Sequence, residues 1–356
     1  MRRRTLLRTI AALCLTSAIV AAAQIAEAAL QPTQLGVIVN DADPQSVAIG
    51  KYYAERRRIP ADNVIHISFR SDKPVLDAAV FKEIYQHVRA QSKQTIQAYA
   101  LTWASPYRVN CMSITSAFTF GYAKRYCAKG CTATAPNPYF DSDSERPMDD
   151  YGIRPTMSIA ARTFENAAFL IDRGVQSDFT KPRASAYLVV TGDKARSTRA
   201  TDYFNARRSS AMQIPVKIVR AEGIRDVFDV MFYFTGIRSV PFLDSLGFLP
   251  GALGDHLTSS GGKMPDSSQM SAMRWLEAGA TGSFGTVVEP CNFPQKFPSA
   301  KIAMKHYLAR DSLIEAYWKS VAWPGQGIFI GEPLAKPYAD MPSIKSMQPA
   351  GTLLND

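Results

Sequence analysis

The sequence predicts an α/β fold, a mostly parallel sheet flanked by helices. Two observations carry this prediction. Short apolar runs alternate with amphipathic, helix-length segments in a β-α-β-α-β rhythm, which parallel sheets with right-handed crossovers require. In the last third, apolar runs end in Gly-, Thr- and Ser-rich blocks: Pro250–Gly262, Gly279–Pro290 and Gly331–Leu334. Strand ends around the crevice of an open α/β sheet have that composition, and ligands bind there.

Taken in order, Leu35-Gly36-Val37-Ile38-Val39 reads as a buried strand. Asp43 can cap the following helix and Pro44 suits its first turn, so a helix is expected to about Arg57. Val64–Phe69 is a second strand. Ala78–Gln91 is a second helix, with Val80, Ile84 and Val88 on one face, and Ala98–Trp103 a third strand. Residues 105–160 break the rhythm with five prolines and three cysteines, and read as an irregular, disulfide-tied insertion. The rhythm then resumes. A helix near Glu165–Asp172 precedes strand Ala186–Val190, and a helix near Arg199–Ala211 precedes strand Val216–Arg220. Val227–Phe234 is the next strand, and a helix near Gln269–Glu277 leads into the Gly279–Pro290 block. Helices near Ala300–Leu308 and Ser312–Val321 lead to strand Gly327–Ile330. No internal sequence repeat is visible. The organisation expected is a signal peptide (1–28), a single α/β domain (29–340) and an irregular tail (341–356).

Export is expected from the first residues. Arg2, Arg3, Arg4 and Arg8 precede an apolar run from Ile10 to Ala23, and Ala26-Glu27-Ala28 offers a small-x-small cleavage site. The run is too short to span a bilayer, so no stable membrane span is expected after cleavage. Arg3–Arg8 resembles a twin-arginine motif, which leaves either the Sec or the twin-arginine route to a periplasmic or secreted location. The net charge of +10 comes from dispersed basic residues without interleaved aromatics. That pattern fits a solvated surface and not a nucleic-acid partner.

Four cysteines follow the leader: Cys111, Cys127, Cys131 and Cys291. In an exported chain they predict two disulfides with three possible pairings. Cys127 and Cys131 could close a small loop, leaving Cys111 to join Cys291. No metal site and no cofactor is expected. No histidine neighbours the cysteines, and the Asp141–Glu145 run lacks the spacing of a calcium loop.

By the strand-end rule, Asn40, Asp41, Arg108, Asp193 and Arg238 should gather on one sheet edge as a ligand-binding set. Arginine there suits a carboxylate-bearing or peptide ligand. Asp255, His256 and Ser259 follow Gly254 in the same kind of block. A histidine beside a serine is the residue combination a Ser–His hydrolase needs. A structural Asp–His pair is the alternative. HExxH, GxSxG and GxGxxG are absent from the sequence.

Val39–Pro44, Tyr52–Pro60, Ala100–Val109, Gly254–Gly262, Gly282–Phe297 and Gly331–Leu334 together resemble a family of exported bacterial proteins of unassigned activity, over roughly residues 35 to 338. More distantly, the chain resembles gingipain-like cysteine peptidases of the caspase-type fold. That resemblance implies a catalytic histidine after Tyr233-Phe234-Thr235-Gly236, where Ile237 stands, and a catalytic cysteine near Asp255–Ser259, where there is none. It therefore implies a caspase-like or flavodoxin-like strand order with the dyad missing. The expected function is a non-catalytic exported protein that binds a peptide or cell-envelope component. A hydrolase using His256 with Ser259 or Asp255 is the first alternative, and a structural envelope protein the second.

Overall fold

A computed structural model describes residues 29–70 and 73–341 of the protein. The expected signal peptide and all but the first residue of the expected tail lie outside the described residues.

The fold is α/β, with a ten-stranded, mostly parallel sheet flanked by helices. The first strand, β1 (Leu35–Asn40), is buried along its whole length. Helix α1 (Pro44–Arg57) follows. Asp43 caps it by accepting from Gln45 N at 3.0 Å, and it ends where Arg58 turns left-handed at φ 53°. Next come β2 (Val64–Ile67), the short β3 (Val75–Leu76), α2 (Ala78–Gln91) and β4 (Ala98–Leu101). On α2 the buried stripe is Phe81, Ile84 and Val88, while Val80 is 44% exposed. An 81/84/88 stripe mixes steps of three and four and stays on one face. The expected 80/84/88 stripe is about 20° wider and puts Val80 at the edge of that face.

Residues 105–160 hold more regular structure than their composition predicts. Strands β5 (Arg108–Val109) and β6 (Met112–Ser113) join β3 in a small sheet. Helix α3 (Ile114–Phe120) is almost fully buried, with Ser113 capping Ser116 N at 3.0 Å. After α4 (Pro147–Tyr151) comes β7 (Thr156–Ser158), which lies inside the large sheet. Three residues with two hydroxyls give no apolar run, so sequence patterning cannot show such a strand.

The second half contains α5 (Phe164–Ser177), β8 (Ser185–Val190), α6 (Ala200–Arg208), β9 (Val216–Arg220), β10 (Val230–Gly236) and β11 (Phe248–Leu257). The sequence places a strand end near Asp255–Ser259 but hides the strand itself, because Pro250, Gly251 and Gly254 read as a loop. The last elements are α7 (Met273–Glu277), β12 (Gly282–Thr286), α8 (Ala300–Leu308), α9 (Leu313–Lys319) and β13 (Gly327–Gly331).

The strand order is β2-β1-β4-β7-β13-β12-β11-β10-β8-β9. Within it, β1, β2, β4 and β7 form one parallel group, and β8, β9, β10 and β11 form another. Each group shows the flavodoxin-like 2-1-3-4 beginning. The arrangement repeats although the sequence does not. Between the groups, β13 runs parallel to β7 and β12 parallel to β11, but β12 and β13 pair antiparallel. The two half-sheets therefore point in opposite directions, and their carboxyl ends lie on opposite edges.

The disulfides are Cys111–Cys127 and Cys131–Cys291, each with Cα atoms 5.5 Å apart. The small Cys127–Cys131 loop does not form. Cys131–Cys291 instead ties the 105–160 segment to the chain after β12.

Candidate functional site

The single binding edge expected from the sequence is not there, because the half-sheets oppose each other. Asn40 ends a strand of the first half and Asp41 follows it, whereas Asp193, Arg238 and Ser259 follow strands of the second, and Asp255 and His256 lie within the last residues of β11. Arg108 belongs to the small sheet, where its Nη1 donates to Asn110 O at 3.1 Å.

At the first edge, Asn40 is fully buried and works as a clamp. Its Nδ2 donates to Phe69 O at 3.0 Å, and its Oδ1 accepts from Phe69 N at 3.0 Å. Those bonds fasten the chain leaving β2 to the end of β1. Asp41 is exposed and lies 2.7 Å from His66 Nδ1, itself exposed. The crevice between β1 and β4, where the strand order reverses, is filled by hydroxyls. Ser46 Oγ and Thr102 Oγ1 are 2.6 Å apart, and Thr102 Oγ1 donates to Ile38 O at 3.1 Å.

At the second edge the corresponding crevice, between β8 and β10, is filled by backbone. A Cβ on Gly236 would sit 1.9 Å from Arg196 O, so only glycine fits there. Thr191 Oγ1 donates to Gly236 O at 2.6 Å and closes the gap further. Asp193 pairs with Arg196 at 2.7 Å, and Arg196 Nε reaches Thr258 Oγ1 at 3.3 Å. Arg238 donates to Ser268 O at 2.8 Å, pinning the loop after β11. These bonds hold one part of the chain to another.

Asp255 and His256 are both buried, and their partners define their chemistry. Arg199, buried on the connection into α6, brings Nη2 to 2.5 Å from Asp255 Oδ1. Neither Asp255 oxygen accepts a well-directed hydrogen bond, so the contact is mainly electrostatic. Burial accordingly pushes the Asp255 carboxyl up to about 6, and Arg199 opposes the rise. His256 is held at both nitrogens. Trp275 Nε1 can only donate, so His256 Nδ1 accepts from it, at 2.9 Å. The ring proton then sits on Nε2, which donates to Met270 O at 3.1 Å. Burial pulls the imidazole down to about 3, with nearby Arg199 and Arg196 acting in the same direction. His256 is therefore neutral at ordinary pH and has no ring nitrogen left for Ser259. The Ser259 carbonyl accepts from Thr286 Oγ1 at 3.1 Å, which fastens the serine's backbone to β12. Cys291 is disulfide-bonded.

Sequence reasoning missed three features. Arg199 and Trp275, which fix the states of Asp255 and His256, carry no motif and lie far from them in sequence. A second buried ion pair joins Arg57 to Glu332, with Arg57 Nη2 2.5 Å from Glu332 Oε2, and Tyr53 OH donates to Glu332 Oε1 at 2.8 Å. The third is a cleft of about 190 Å3 at the seam between the halves. It is bounded by residues 160–162 after β7, by α5 and by α7. The acidic run singled out in the sequence is a surface loop whose Asp141 accepts from Lys305 Nζ at 2.9 Å and pairs with His306 Nε2 at 3.0 Å.

The fold and site describe an α/β protein with opposed half-sheets, closed switch points and a lateral cleft. No family model and no curated protein matches the chain. A solved structure described as "Structure of Protease" is similar over 89% of this chain and 81% of that chain, with 10% identity and a TM-score of 0.44.

Proposed function

We propose that this protein is exported and binds a peptide or cell-envelope component without catalysing its hydrolysis. One observation carries the non-catalytic part. His256, the histidine within the Gly/Ser/Thr-rich block, has both ring nitrogens committed, to Trp275 and Met270. A general base needs a free nitrogen lone pair directed at the nucleophile. The His256 lone pair is directed at the Trp275 indole instead. Asp255 faces Arg199, and Cys291 is oxidised, so neither offers a substitute. The two disulfides favour an oxidising compartment, in keeping with the Ala26-x-Ala28 cleavage site. Among the described residues, no helix is long and apolar enough to cross a membrane.

A broad peptide- and ester-substrate screen on folded, oxidised protein tests this reading. The expected result is no turnover above the uncatalysed rate. Turnover that scales with protein concentration and disappears in Ser259→Ala would overturn it in favour of a serine hydrolase.

A further inference from the structure

We infer that the seam cleft is a carboxylate-binding site, and that it takes the C-terminus of a peptide ending in an apolar residue. The inference rests on the binding reading above and gives it a place and a ligand class.

The argument begins with the charges of the cleft wall. Arg162 is neutralised twice, by Glu277 at 2.8 Å and by Asp266 at 2.5 Å. Glu277 is shared with Arg274, also at 2.8 Å. Arg173, on α5, is different. Its Nη2 donates to two backbone carbonyls, Leu276 O at 3.1 Å and Ala280 O at 2.6 Å. Its Nε is enclosed without an acceptor, its Nη1 is not enclosed and makes no hydrogen bond, and it forms no ion pair with a carboxylate among the described residues. Burial lowers the guanidinium to about 10, so it stays charged at neutral pH. The cleft thus carries a positive charge held in place by carbonyls and lacking a counter-ion. A group that supplies one gains more there than in water, because the surroundings are partly desolvated.

The rest of the cleft sets the ligand's shape. Its α5 wall runs from Asn166 to Arg173, roughly 10 Å at the helical rise. Leu170 and Leu276 line it, and Phe169, 69% exposed, stands at its mouth. At about 190 Å3 it is smaller than the ~300 Å3 at which drug-sized pockets begin, and suits one residue rather than a large ligand. A terminal carboxylate on Arg173, with its apolar side chain against Leu170, Leu276 and Phe169, uses both properties.

Isothermal titration with acetyl-Ala-Ala-Leu, its C-terminal amide and N-acetyl-leucine tests the assignment. The acid should bind on the order of tenfold or more tighter than the amide, the scale of one charge-assisted contact. Arg173→Gln should bring the acid down to the level of the amide. Because Arg173 also holds two carbonyls, a second variant guards against misfolding. Phe169→Asp alters an exposed side chain and sets a negative charge at the mouth, so it should keep the wild-type melting curve while weakening the acid by a similar factor. Equal binding of acid and amide, or no binding of either, overturns the carboxylate site. N-acetyl-leucine binding as tightly as the tripeptide overturns the peptide assignment. Chromatography of the same titrated samples separates the two readings. Cleaved peptide would defeat the non-catalytic function, whereas intact, unbound peptide would defeat only this site.

Discussion

The two half-sheets repeat one strand order but close it by different means. In the first half, the switch point between β1 and β4 is filled by the Ser46 and Thr102 hydroxyls beneath the Asn40 clamp. The ionisable groups beyond it, Asp41 and His66, are left in solvent. In the second half, the backbone of Arg196 packs onto Gly236, and the ionisable groups Arg199, Asp255 and His256 are buried beneath the edge. Strand order alone therefore does not create a ligand crevice. Whatever occupies the switch point decides whether the crevice exists. Here the cleft lies instead between the chain after β7, α5 and α7.

If the second edge is a load-carrying core and the first a solvated rim, substitutions should separate them. The largest effect is expected at Arg199. Arg199→Met leaves Asp255 buried without its cation and should cost about 3–5 kcal/mol in urea unfolding. Adding Asp255→Leu should recover only part of that loss, because Arg199 also donates to Pro298 O at 2.9 Å and Thr235 O at 2.7 Å. An Arg199→Met protein as stable as wild type would remove the distinction between the edges.

The next effect depends on pH. The folded value of His256, about 3, lies below its ordinary value, so the folded state resists protonation there. Its contribution is complete above about pH 6.5 and is lost as pH falls towards 3, at up to ~1.4 kcal/mol per pH unit. Asp255 acts in the opposite sense. Raised to about 6, its carboxyl makes the folded state relatively more stable as it protonates below that value. A glutamine at 256 can accept from Trp275 and donate to Met270 O without titrating. His256→Gln should therefore fold at pH 7 and lose less stability than wild type between pH 6.5 and 4. Parallel unfolding midpoints across that range would contradict a buried, neutral His256.

The smallest effect belongs to the rim. Asp41 and His66 are both about half exposed, and Asp41→Ala should change stability by roughly 0–1 kcal/mol. A larger loss in thermal or urea unfolding would mean that the first edge also bears load.

Local pattern made part of this architecture legible. The Asp43–Pro44 start of α1 follows from capping chemistry that acts within a few residues. The buried β1 and the α/β rhythm follow from hydrophobic period, and the oxidised state of the four cysteines from their number in a chain with an export-like leader. The Pro250–Gly262 block marks a strand end, as read, because glycine and hydroxyl residues tolerate the close approaches found there. Tertiary structure decided the rest. Strand direction across the β12–β13 seam is set by backbone pairing between segments about forty residues apart, and it sends Asn40 and Asp193 to opposite edges. β7 exists because its neighbours β4 and β13 supply partners, not because Thr156–Ser158 favours a strand. Cysteine spacing allowed three pairings, and only the folded path brings Cys131 to Cys291. The state of His256 is the clearest case. Its sequence neighbours suggest a reactive pair, but ionisation depends on burial and on what each ring nitrogen meets. Trp275 and Met270 reach it only through the fold.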